Sequence, residues 1–176
     1  MSRTTVFVAL LRAVNVGGTG KLPMRDLKRM CERAGFSAVR TYIASGNVVF
    51  ASEQSAQAVK ILLEKKLRAY VGKPVGVLLR TAKEVEQVLA HNPFPDAPPN
   101  RTVAIFLDEP PPRDTLQNVT GTKDEEIGLG KREIYVHYPG GVGTSKLRIA
   151  AARMGTARNM NTVAKLAVMA KEREDK

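Results

Sequence analysis

Four short polar stretches carry the residue types that could do chemistry. The first is residues 11–23, LRAVNVGGTGKLP, which sets Arg12, Asn15, Gly17, Gly18 and Lys21 between an apolar run and Pro23. Successive backbone N–H groups of a glycine loop before a helix can cradle an anion, and the helix N-terminus adds a favourable dipole. Arg12 and Lys21 would add charge. The order is not a Walker A loop, because Lys21 is followed by Leu22 rather than Ser or Thr, and it is not GxGxxG. Pro23 removes one helix donor, and a tight turn needing positive φ explains the glycines equally well. The second stretch is the hairpin tip around Ser45 and Gly46, with Asn47 after it. The third, GGVGTSKL at residues 140–147, holds Ser145 and Lys146 in the reverse of the P-loop order. Ser145 reads more readily as a helix N-cap than as a nucleophile. The fourth, TARNMNT at residues 156–162, packs Arg158, Asn159 and Asn161 beside two threonines. One of the asparagines can cap the last helix, yet so many donors in one loop also suit recognition of a polar ligand.

Nucleophilic and metal chemistry find little support. The two histidines, His91 and His137, stand in no His/Cys or His/carboxylate cluster at metal spacing. Cys31 is the single cysteine, so no intrachain disulfide can form, and it lies on the apolar side of a helix, where a buried inert thiol is expected. No catalytic residue and no cofactor is indicated.

The elements that must position these stretches follow from apolar periodicity. Residues 5–11 form a nearly continuous apolar run, as in a strand buried on both faces. From Pro23 onward Leu27, Met30, Cys31 and Ala34 share one helix face, and Gly35 ends the helix. Residues 39–43 and 47–50 read as a hairpin. A helix at residues 55–71 presents Val59, Leu62, Leu63, Leu67 and Tyr70 as its apolar stripe, and Gly72 closes it. Residues 74–79 read as a strand, after which Thr81 and Glu84 have capping-box spacing. The order is that of a ferredoxin-like βαββαβ unit, and the expected fold class is α+β. That unit leaves one sheet face uncovered by its own helices, so something covers it or it binds a ligand. We therefore expect a ferredoxin-like subdomain at residues 1–90, a Pro-rich connector at 91–100, and a second, smaller α+β subdomain at 101–176. The second half reads as a strand at 102–107, a short helix at 110–116, a hairpin of 126–129 with 133–138, and helices at 145–153 and 161–173.

The chain has 176 residues, is 43% hydrophobic and carries a net charge of +11. That composition supports a folded core and argues against global disorder. Residues 1–80 hold 14 Lys and Arg against 4 Asp and Glu, whereas residues 81–176 hold 14 against 13. The basic half is biased toward anionic partners. No apolar run reaches the roughly 18 residues of a membrane span, and a cytoplasmic protein is expected. An RNA-recognition domain shares the βαββαβ order, but SGNVVFAS lacks the stacking aromatics that its third strand requires.

ALLRAVNVGG followed by KLPM, the hairpin TYIASGNVVF, then HNPF, SKL and TARNMNTV together resemble the bacterial family known as domain of unknown function 1697. The family usually reads Arg-Gly-Ile-Asn where this chain has Arg12-Ala13-Val14-Asn15, and usually has an aromatic where this chain has Met160. The resemblance implies an α+β fold built from ferredoxin-like parts, a cytosolic bacterial setting, and no established activity. Its motif positions fall on Arg12, Asn15, Gly17, Gly18, Ser45, Gly46, Asn47, Asn92, Ser145, Lys146, Arg158, Asn159 and Asn161.

Three functions remain open on the sequence. The leading one is a polar cleft for an anionic, phosphorylated small molecule or nucleotide. There Arg12, Lys21, Lys146 and Arg158 neutralise charge, Asn15, Asn47, Asn159 and Asn161 orient the ligand by hydrogen bonds, and Gly17, Gly18, Ser45 and Ser145 complete the binding set. The second is a nucleic-acid-binding protein that uses Arg25, Arg29, Arg33, Lys60, Lys65 and Arg68 against phosphates. The third is a structural or homodimeric module in which the motifs are caps and turns.

Overall fold

A computed structural model describes residues 3–14 and 21–175. The first half runs β1 (Thr5–Leu11), α1 (Met24–Arg33), β2 (Ser37–Thr41), β3 (Asn47–Ser52), α2 (Ala56–Val71), β4 (Val77–Thr81) and α3 (Ala82–Ala90). Its sheet has the order β2-β3-β1-β4 with every neighbouring pair antiparallel. Alternation along the strands gives the sheet two faces. Phe7, Ala9 and Leu11 share one of them with Val48, Phe50, Val77 and Leu79, and this face packs on Leu27, Met30 and Cys31 of α1 and on Val59, Leu63 and Leu67 of α2. Phe36 stacks on Phe50 with ring centroids 4.4 Å apart. Each large side chain so buried stabilises the fold by roughly 1.5–3 kcal/mol.

Local chemistry sets where these helices start and stop. Ser55 caps α2 by accepting the Ala58 N–H at 3.1 Å, and Gly72 ends it at φ +86°. Thr81 and Glu84 form a reciprocal capping box: the Thr81 N–H donates to the Glu84 carboxylate, and the Glu84 N–H donates to the Thr81 hydroxyl. Tyr70 departs from the expected apolar stripe. It lies at the end of α2 with its ring exposed and its hydroxyl donating to Asp26.

The second sheet face is also buried at its centre. Arg40, Val49, Val8 and Arg80 are aligned as one cross-strand row, and of these Val8, Val49 and Arg80 are almost fully excluded from solvent. The face on which an RNA-recognition domain would stack bases is therefore closed.

The second half contains β5 (Thr102–Phe106), β6 (Val119–Thr120), β7 (Glu126–Leu129), β8 (Glu133–His137), β9 (Arg148–Ile149), β10 (Thr156–Asn159) and α4 (Met160–Glu174). A sheet of order β10-β5-β8-β7 is accompanied by a two-stranded ribbon of β6 with β9. Val103, Ile105, Leu107, Ile134 and Val136 form its core, with Ile127, Leu147 and Ile149 against them. The expected helix at 145–153 is absent. The Ser145 hydroxyl donates to Glu125 instead of capping a helix, residues 148–149 pair with β6, and only a 3₁₀ turn, Ala150–Met154, follows. The expected helix at 110–116 is likewise reduced to the 3₁₀ turn Thr115–Gln117.

The chain divides into two units, residues 1–85 with 166–176 and residues 86–165. The Pro-rich segment at 91–100 falls inside the second unit. The end of α4 belongs to the first, where Glu172 meets Arg40 at 3.2 Å. No helix among the described residues is long and apolar enough to cross a membrane.

Candidate functional site

In the first unit two of the sequence motifs meet at one corner. The end of β1 hydrogen-bonds the hairpin tip, with the Leu11 N–H donating to the Gly46 carbonyl at 2.9 Å. Asn47 is fully buried. Its side-chain N–H₂ group donates to the Tyr42 carbonyl at 2.8 Å and to the Ser45 hydroxyl at 2.9 Å. Both polar tip residues are thus engaged in holding the turn. Arg12 is half-buried, its N–H donates to the Gly76 carbonyl, and its aliphatic stem lies against Gly76. Lys21 is exposed. Asn15, Gly17 and Gly18 lie outside the described residues.

The remaining motif residues lie in the second unit. Ser145 donates to Glu125 at 3.0 Å and accepts the Leu147 N–H at 3.1 Å. Asn159 is the cap of α4, its side-chain oxygen accepting the Thr162 N–H at 2.9 Å. Asn161 is exposed in the first turn. Arg158 is buried and donates to the Thr156 hydroxyl and the Ala157 carbonyl. Desolvation pushes its pKa down to about 10. Its strand, β10, is separated from β7 by β5 and β8, whereas Glu125 precedes β7 at the opposite edge. Three strand spacings make that about 14 Å. The structure therefore brings Ser145 and Lys146 together beside Glu125, and keeps Arg158 and Asn159 apart from them.

A different set of residues forms a cationic cavity. Asp26, Arg29, Met30 and Arg33 lie at helical spacings along one side of α1, and Lys66, Ala69 and Tyr70 lie likewise on α2. Together they line a groove of about 470 Å³. Among the described residues Arg29, Arg33 and Lys66 have no hydrogen-bond or ion-pair partner. Asp26 is the only acid in the lining, and it is occupied by Tyr70 at 2.6 Å and by Arg25 at 3.9 Å. Met30, almost buried, and the exposed Ala69 add apolar surface to the lining. Lys60, by contrast, is committed to Glu64 and to the Val77 carbonyl.

Arg29 and Arg33 belong to the basic set legible in the sequence, whereas nothing in the sequence alone joins Lys66 and Tyr70 to them. The available signal was the shared spacing of Arg29 with Arg33 and of Lys66 with Tyr70. What periodicity could not supply was the pairing of the two helices. Lys123, Asp124 and Glu125 are likewise absent from the sequence motifs, yet they line a second cavity of about 300 Å³ with Tyr138, Thr144, Ser145 and Lys146.

Other reactive groups are held in structural roles. Cys31 is buried, and its thiol is pushed up to about 12 by desolvation first and the Glu32 charge second. His137 sits 3.1 Å from the Glu126 carboxylate and packs near Phe94. Among the described residues no three His, Cys, Asp or Glu side chains gather to hold a metal.

Over residues 4–135 the sequence matches the family model described as "Protein of unknown function (DUF1697)". Among solved structures the chain is similar to conserved bacterial protein SP0830 from Streptococcus pneumoniae, with a TM-score of 0.80 and 26% identity. That match covers 96% of this chain and 99% of the other. No curated protein matches it.

Proposed function

The chain belongs to the DUF1697 family of proteins of unknown function, from which no activity can be carried over, and we propose that it binds a phosphate-bearing anion in the groove between α1 and α2. The observation that carries this reading is the set of three unpartnered cations, Arg29, Arg33 and Lys66, around one groove. A mobile, unpaired guanidinium or ammonium keeps its full capacity for charge-assisted hydrogen bonds to phosphate oxygens. Unit-wide charge points the same way. Residues 1–85 with 166–176 carry 18 Lys and Arg against 8 Asp and Glu, and residues 86–165 carry 10 against 9. Nearly all of the net positive charge therefore belongs to the unit with the groove. The Tyr70 ring and the Met30 side chain would accept the base or other organic part of a nucleotide. The βαββαβ order with a β2-β3-β1-β4 sheet supports reading this unit as ferredoxin-like.

Binding of a labelled nucleoside triphosphate tests the reading. Charge reversal by Arg29→Glu or Lys66→Glu should weaken binding about tenfold or more, equivalent to about 1.4 kcal/mol. Asp26→Asn should strengthen it, because it removes the one negative charge in the lining. Affinity indifferent to all three changes would refute the proposal.

One observation favours nucleic acid as a second reading. Exposed cations continue beyond the groove on both helices, at Lys28, Lys65 and Arg68. A strand laid along them would show log K falling with log salt by roughly 0.7–0.9 per phosphate neutralised. Lys65→Glu would weaken such a strand and leave a single nucleotide unaffected.

A further inference from the structure

The cavity of the second unit is built differently from the cationic groove. Its two walls, residues 121–125 and 138–146, are tied together by Glu125. One carboxylate oxygen accepts the Lys123 N–H at 2.9 Å and the Asp124 N–H at 3.1 Å, and the other accepts the Ser145 hydroxyl at 3.0 Å. Ser145 is fixed in turn by the Leu147 N–H, and the Thr144 hydroxyl donates to the Gly140 carbonyl at 3.1 Å. Gly121, at φ +73°, lets the two walls touch, since a Cβ there would stand 2.0 Å from the Lys146 carbonyl oxygen. These bonds consume Glu125 and Ser145 in shaping the walls. They leave the groups at the mouth unspent: among the described residues the side chains of Lys123, Lys146, Asp124 and Tyr138 have no hydrogen-bond or ion-pair partner. A preformed cavity with unpaired charges of both signs is suited to a ligand that carries the opposite pattern, because the ordering cost is met within the protein fold.

We propose that this cavity binds a small amino dicarboxylate, whose two carboxylates pair with Lys123 and Lys146 and whose ammonium pairs with Asp124. The count of groups selects the class. Two ammoniums match two carboxylates, and one free carboxylate matches one ammonium. A purely anionic ligand would leave Asp124 facing like charge, and a cationic one would face both lysines. The half-buried Tyr138 hydroxyl supplies a neutral donor for a remaining carboxylate oxygen. The cavity, about 300 Å³, lies at the small end of the range for small-molecule sites, roughly 300–1,000 Å³. Glutamate has that charge pattern and is small. The site shares no residue with the groove of α1 and α2, so the two proposals stand or fall separately.

Isothermal titration of the full chain with L-glutamate, glutarate and L-glutamine tests this. Glutarate lacks the ammonium and glutamine lacks the second carboxylate, so each should bind at least tenfold more weakly than glutamate. Lys146→Ala should cost glutamate at least tenfold. Asp124→Asn should erase the preference for glutamate over glutarate, a ratio that a general loss of stability would not change. Both residues are exposed, so the variants should fold, and circular dichroism checks this. The inference is overturned by absence of glutamate binding at about 10 mM, by glutarate binding as well as glutamate to the unaltered protein, or by a glutamate preference that survives Asp124→Asn.

Discussion

The Tyr70 hydroxyl donates to the Asp26 carboxylate over 2.6 Å, tying the end of α2 to the first turn of α1. The bond holds the tyrosine proton, so the phenol ionises above its ordinary value of 10.0. The hydrogen bond is the largest cause, with desolvation and the Asp26 charge adding to it and Arg25 opposing. The expected outcome is a Tyr70 phenolate transition above pH 10.0, isolated by subtracting the absorbance titration of Tyr70→Phe from that of the unaltered protein. Asp26→Asn should lower it. The sign for stability follows from linkage. A raised folded value contributes stability below the ordinary tyrosine value, and that contribution is lost as pH rises through the folded one. A Tyr70 transition that Asp26→Asn does not move would show that the contact is not made in solution.

The corner where the β1 end meets the hairpin tip depends on Gly46, and Gly72 provides an internal control. Both have positive φ, +89° and +86°. A Cβ at Gly46 would stand 2.7 Å from Val14 Cγ2 and 2.9 Å from Leu11 Cβ, whereas one at Gly72 would meet nothing within 4 Å. Gly72→Ala should therefore cost only the left-handed penalty, about 1–2 kcal/mol. Gly46→Ala adds overpacking and should cost roughly 2–5 kcal/mol in all. Urea unfolding of the two variants measures the difference directly, and equal losses would mean that Val14 and Leu11 give way freely.

What was legible in the sequence was local. The Thr81–Glu84 capping box and the helix stops at Gly35 and Gly72 are set by residues within a few positions of one another. The alternating and helical patterns of the first half are equally short-range. Asn159 was recognisable as one of two candidate caps, but choosing it over Asn161 required knowing where α4 begins. Most of the misses are long-range. Tyr70 fits the apolar stripe of α2 by spacing, and only a partner 44 residues away in the chain draws its hydroxyl outward. Residues 145–153 resemble a helix with a serine cap until Glu125, 20 residues earlier, takes the serine. Strand β10 is polar in sequence, TARN, and pairs antiparallel with β5. The groove of α1 and α2 and the cavity beside Glu125 both need pairings that no window of one element contains.

Two non-glycine residues beside the same corner carry positive φ, Ala13 at +51° and Ile43 at +49°. Ala13 holds a backbone angle that glycine adopts without cost. Ala13→Gly relieves the left-handed penalty but loosens the unfolded chain, for a net gain of about 0.5–1 kcal/mol. Ile43 is β-branched and about half exposed, so little packing offsets its strain. Ile43→Asn should likewise stabilise by about 1 kcal/mol. Shifts in the chemical-denaturation midpoint report both. A loss of stability at either site would mean that the side chain makes contacts worth more than the strain.

Glu125 makes the second cavity sensitive to acid. Its carboxylate is held below the ordinary value of 4.5 chiefly by the Lys123 N–H, with the Asp124 N–H and the Ser145 hydroxyl adding to this against desolvation. A depressed folded value contributes stability above the unfolded one and loses it as pH falls through the folded one. The walls should therefore stay closed above pH 4.5 and separate at lower pH, where protonation removes acceptor strength from three bonds at once. Amide chemical shifts of Lys123, Asp124 and Ser145 should move together with one midpoint below 4.5. Glu125→Gln removes the titrating charge, so the same amides should show no such transition. Its amide can still accept the two backbone N–H bonds, which keeps the variant folded enough to compare. Independent midpoints for the three amides would sink the idea that one carboxylate joins the two walls.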